Sequence, residues 1–178
     1  MFSFLTCRRA AAFLLAALFM LAAAPRLALA QDYGWFSLDL PQGWQAEAPA
    51  DMAGTWILSL AGPDDAVHVR VLVGKTAGPP DAADVAGLLR AAAGVREPLR
   101  RADSQYVFRG KDAFGGDSAG VVGADPAAGL YMAVLCSGEV DRAEALLAAL
   151  RGGSNPAMLP VRHAARGSLE PRFMPAAQ

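Results

Sequence analysis

From Val67 to Val73 every second residue is valine. Val67, Val69, Val71 and Val73 fall on one face of an extended chain, and His68, Arg70 and Leu72 fall on the other. Four β-branched residues at period two suit a pleated sheet and not a helix, where their χ1 freedom would be lost. This segment therefore commits the chain to a sheet with one buried face. A sheet of that kind needs a second layer packed onto it.

The neighbouring segments supply the rest of the sheet. Trp35–Leu40 alternates, with Phe36, Leu38 and Leu40 on one face; Pro41-Gln42-Gly43 predicts a turn, and Trp44 opens a short return strand. Thr55–Leu60 reads as a third strand with Trp56, Leu58 and Leu60 sharing a face, and Gly62-Pro63-Asp64-Asp65 as the turn that follows. Further strands are expected at 95–101, 105–109, 117–123 and 130–136. The last is apolar on both faces, as a central strand covered on both sides would be.

Twice the period changes. After Pro79-Pro80-Asp81, the residues Val85, Leu88, Leu89 and Ala92 fall at i, i+3, i+4 and i+7, which predicts a helix stopped by Gly94. A second helix is expected from about Glu139 to Arg151, with Val140, Ala143, Leu147 and Leu150 as its stripe and Gly152-Gly153 as its stop. The expected fold is α+β: a mainly antiparallel sheet of about six to eight strands with two main helices packed on it, all within residues 31–151.

Both ends of the chain read differently from this domain. At the N-terminus, Arg8 and Arg9 precede the uninterrupted apolar run Ala10–Ala24, Pro25 breaks it, and Ala28-Leu29-Ala30 offers a small-x-small cleavage pattern. This is the pattern of a cleaved export signal over residues 1–30, and it predicts a periplasmic or secreted protein. The run is shorter than the about 20 residues that span a bilayer comfortably, which favours a cleaved signal over an uncleaved N-terminal anchor. Residues 152–178 hold Pro156, Pro160, Pro171 and Pro175 with no apolar period, and predict a disordered tail.

Charge and cysteine content narrow the function classes. Residues 31–150 carry 9 basic and 16 acidic side chains, a net of −7, whereas 151–178 carry four arginines and Glu170, a net of +3. An acidic domain without a basic patch is a poor nucleic-acid binder, because phosphate contacts need clustered Lys and Arg. Only Cys136 remains after cleavage, so no internal disulfide is expected, and its place at the end of an apolar strand predicts burial.

Tyr33-Gly-Trp-Phe-Ser-Leu-Asp-Leu-Pro-Gln-Gly-Trp44 resembles the opening hairpin of PsbP-like domains. That superfamily includes the extrinsic photosystem protein, a nuclear-import factor that binds a small GTPase, and many bacterial envelope proteins. The resemblance covers about a dozen residues. It implies an α-β-α sandwich that works as a binding or assembly module rather than as an enzyme. It carries over no functional residue.

Few residues suggest chemistry. Gly116-Asp117-Ser118-Ala119-Gly120 fits the G-x-S-x-G nucleophile pattern, and Asp141 and His163 follow in the order of a hydrolase triad. The elbow that this motif requires runs from strand to helix, whereas Val121-Val122-Gly123 continues as strand after a Gly-rich turn. His68 and Cys136 lack metal-ligand spacing, and Asp64, Asp65, Asp112 and Asp117 sit where turns are expected. Trp35, Trp44 and Tyr106 are the candidate binding residues, since large aromatics mark partner surfaces when exposed. The expectation is an exported, non-enzymatic accessory or binding protein of the cell envelope, acting through an envelope protein or a small ligand, with no cofactor. A small serine hydrolase using Ser118, and a membrane-surface protein docking through its basic tail, are the alternatives.

Overall fold

The computed structural model describes residues 30–102 and 104–152. Of the expected export signal (1–30) all but residue 30, and of the expected tail (152–178) all but residue 152, lie outside the described residues. No described helix is long and apolar enough to cross a membrane.

Eleven strands are described, in two sheets. The main sheet contains β3 (Gln45–Ala46), β4 (Ala50–Met52), β5 (Thr55–Ala61), β6 (Val67–Lys75), β7 (Arg100–Ala102), β8 (Gln105–Lys111), β9 (Asp117–Asp125) and β10 (Leu130–Gly138). Its order is β3-β5-β6-β10-β9-β8-β7, with β4 also on the outer edge of β5, and every pairing is antiparallel. The strand that is apolar on both faces, β10, is central as expected. The second sheet is small: β2 (Phe36–Leu38) lies between β1 (Gln31–Asp32) and β11 (Leu150–Gly152). Between the strands lie helix α1 (Ala82–Ala92), a 3-10 turn (Val140–Ala143) and helix α2 (Glu144–Ala148).

The alternation of β6 sorts the two faces of the main sheet. Val67, Val69, Val71 and Val73 join Leu58, Leu60, Val121, Met132, Val134 and Cys136 in the larger core, which Phe36, Leu38, Val140, Leu146, Leu147 and Leu150 close from outside. Leu72 points the other way, with Val122 and Ala133, and packs beneath Ala86, Val85 and Leu89 of α1. The fold is thus α+β, with α1 on one face and the small sheet plus α2 on the other.

Several expectations need correction. Trp35–Leu40 and the segment after Trp44 do not form a hairpin: β2 pairs with β1 and β11, while β3 pairs with β5. The turn between them does form, with Trp44 N donating to the Pro41 carbonyl at 3.1 Å and Gly43 at φ +83°, but it leads from one sheet to the other. The second helix does not run to Arg151. A 3-10 turn and five residues of α-helix precede β11, where Leu150 and Gly152 face Leu38 and Phe36. Pairing with the open edge of β2 outweighs another helical turn there, so Gly152 belongs to a strand and not to the tail.

The helix α1 stripe is rotated from the expected one. Ala86 is fully buried and Leu88 is 73% exposed, because the small side chain lets the helix settle closely on Val122 and Ala133. The strand expected over 95–101 is confined to Arg100–Ala102. Ahead of it, the Arg90 guanidinium donates to the carbonyls of Val95, Arg96 and Glu97 at 3.1–3.2 Å and so draws that backbone to the helix instead of the sheet. The start and stop of α1 match expectation: Asp81 Oδ1 accepts from Ala83 N at 2.7 Å, and Gly94 has φ +73°.

Candidate functional site

The cross-strand register grades the α1 side of the sheet from apolar to polar. One row runs Ile57, Leu72, Ala133, Val122, Tyr106 across five strands, and it lies beneath α1. The next runs Ser59, Arg70, Leu135, Gly120, Phe108. The one beyond runs Ala61, His68, Ser137, Ser118, Gly110 and holds no large apolar side chain. Directly opposed residues share a face, so each row is a line of neighbouring side chains.

Helix α1 covers the apolar row and leaves much of the polar rows open. The result is a groove of about 520 Å³. Ser59, Arg70, His68, Ser137 and Ser118 line its floor, Leu89, Ala92 and Ala93 of α1 form an apolar wall, and Glu47 and Asp112 stand at its margins. Two close approaches fix its shape. A Cβ on Gly94 would stand 2.8 Å from Ala113 N, so the end of α1 abuts the β8–β9 hairpin. A Cβ on Gly120 would meet Phe108 and Leu135.

The polar groups of the groove differ in how they are engaged. His68 Nε2 lies 3.5 Å from Asp65 Oδ1, both side chains being largely exposed. Asp112 Oδ1 accepts from Phe114 N at 2.8 Å and Gly116 N at 2.9 Å, which makes it the anchor of the hairpin turn. Ser118 is buried and donates to the Cys136 carbonyl at 3.4 Å. Arg70 has no ion-pair or hydrogen-bond partner among the described residues.

The residues singled out from sequence are dispersed. Ser118 lies near the start of β9, after the Gly-rich turn and with strand following it, so it stands on no strand-to-helix elbow. Asp141 sits by the opposite face of the sheet, where its carboxylate meets Arg109 at 2.9 and 3.1 Å. His163 lies outside the described residues. His68 does share the groove with Ser118, but Ser137 stands between them, and two cross-strand steps separate Cβ atoms by roughly 10 Å. Asp117 pairs with Lys111 at 2.9 Å, so the Asp112 and Asp117 carboxylates are each committed to the hairpin.

The aromatic candidates do not gather either. Trp44 is buried in the larger core, Trp35 is half-buried against it, and Tyr106 is half-buried on the α1 face. The aromatic cluster that does form is Tyr33, Phe36 and Trp56, with ring centroids 5.2–5.7 Å apart. Burial there raises the Tyr33 hydroxyl above its ordinary value. Cys136 is buried as expected, and burial pushes its thiol up to about 12. Among the described residues, no three His, Cys, Asp or Glu side chains converge as a metal would require.

Ser59, Arg70, Ser137 and Glu47 had no motif to mark them. Their signal was the strand alternation, which already sets His68 and Arg70 apart from the valine face. No protein-family model matches this chain, and no curated protein or solved structure matches it either.

Proposed function

We propose that this chain is a non-enzymatic binding module of the cell envelope, and that the groove beside α1 is its small-ligand seat. The observation that carries the reading is the groove's construction. Its volume is that of a small-molecule site, and apolar wall and polar floor converge in it, as ligand recognition requires. Holding suits this geometry better than reacting. The Ser118 hydroxyl is aimed at a backbone carbonyl, and His68 is two strands away.

Export to the envelope is supported by Arg8-Arg9, the apolar run after them and Ala28-Leu29-Ala30. A PsbP-like arrangement is supported by the motif ending in Trp44 and by helices on both faces of an antiparallel sheet, although β2 and β3 belong to different sheets.

Ligand-observed NMR with a chemically diverse fragment set tests this. Some fragments are expected to bind the full chain and to lose binding in Ala92→Trp, whose ring fills the groove from the exposed side of α1. Fragment binding unaffected by Ala92→Trp overturns the reading. So does ester turnover abolished by Ser118→Ala.

A further inference from the structure

We infer that the groove takes a small organic monocarboxylate with an apolar body, anchored on Arg70. This rests on the reading of the groove as a ligand seat and adds the class of ligand.

Arg70 occupies the middle of the floor, in one row with Ser59 on one side and Leu135 on the other. A guanidinium is a rigid planar fork that matches a carboxylate through two parallel hydrogen bonds. Here no described carboxylate lies within 4 Å to take that role. The hydroxyls of Ser59 and Ser137 lie in the same groove and are free to donate to an anion's remaining lone pairs.

The margins restrict the charge. Asp112 is already held by two backbone N–H groups, so its negative end is partly satisfied. Glu47 is not: its N–H bonds to the Ser59 carbonyl, which sets it one strand beyond Ser59 and two from Arg70. A second negative charge on the ligand would meet Glu47, so the site favours a single one. The remaining volume lies against Leu89, Ala92, Ala93 and Leu135, which a bare inorganic anion would leave wet. An apolar body attached to the carboxylate fills it.

The test titrates the full chain with 3-phenylpropionate, its uncharged amide, glutarate and inorganic phosphate, followed by backbone amide NMR. The acid is expected to shift groove resonances and to bind at least about tenfold more tightly than the amide, the scale of a charge-assisted hydrogen-bond pair. Arg70→Gln should remove that advantage, while Glu47→Gln should tighten binding of glutarate more than that of 3-phenylpropionate. Phosphate should not displace the acid at equal concentration. Acid and amide binding equally well in the groove overturns the carboxylate assignment and leaves the ligand seat standing. If neither these probes nor the fragment set touches groove resonances, both fall.

Discussion

Phe108 lies across Gly120: the two are directly opposed on β8 and β9, and a Cβ on Gly120 would stand 2.5 Å from Phe108 Cζ and 2.9 Å from Leu135 Cδ2. The ring thus covers the backbone of its cross-strand partner in the row that carries Arg70. Gly74 and Tyr131 repeat the arrangement on β6 and β10, with the tyrosine ring 2.4 Å from the position of the missing Cβ. The two sites differ in freedom. Phe108 is 2% exposed, whereas Tyr131 is half-buried, with its hydroxyl 3.3 Å from that of Thr55. Gly120→Ala is therefore expected to destabilise by about 1–3 kcal/mol, the usual cost of overpacking, and Gly74→Ala by less. Urea unfolding of both variants checks the order, and equal costs would show that Phe108 can move aside.

Such pairs explain what the sequence could and could not show. The β6 valines, the apolar faces of β10, the turn at Gly62–Asp65 and the ends of α1 were readable because each is local. Alternation, period and turn chemistry need only nearby residues. The errors fell where a particular contact decides, near or far in the chain, that no alternation, period or turn signal records. Leu150 carries a helical stripe, yet the free edge of β2 makes it a strand residue. The backbone after Val95 looks extended, yet Arg90 holds its carbonyls.

The groove was legible only in part for the same reason. Alternation puts His68 and Arg70 on one face, but nothing local tells that Ser137 opposes His68 and Ser118 opposes Ser137. That row exists through strand order and register, which are long-range properties. G-x-S-x-G drew notice to Ser118 by spacing, while the structure makes it one small polar member of a floor.

Cys136 should be chemically silent in the native protein. Its side chain is 2% exposed and faces the larger core, and burial raises its thiol to about 12, so almost no thiolate is present near neutrality. A Cys7→Ser chain reports this residue alone. Labelling by a thiol-exchange reagent at pH 8 is expected to be at least about a hundredfold slower in the native state than in guanidinium. Comparable rates would mean that β10 opens readily at its Cys136 end.

Arg109 and Asp141 give the fold a pH-dependent clasp between β8 and the 3-10 turn at Val140–Ala143. Their contacts of 2.9 and 3.1 Å join both guanidinium Nη atoms to both carboxylate oxygens. The hydrogen bond from Arg109 holds the Asp141 carboxyl below its ordinary value, and the same bond raises Arg109. A carboxyl lowered in the folded state stabilises the protein fully above its unfolded value of about 3.9 and loses that contribution as pH falls through the folded value. The Asp141 side chain is 82% exposed, so solvent screening keeps the contribution below about 1 kcal/mol. Asp141→Asn is expected to lower the urea midpoint by a small amount that is constant from pH 7 to 5. The difference from the parent should shrink below about pH 4 and narrow in high salt at pH 7. A gap that persists unchanged at pH 3 would assign the effect of the substitution to packing of the turn rather than to the charge.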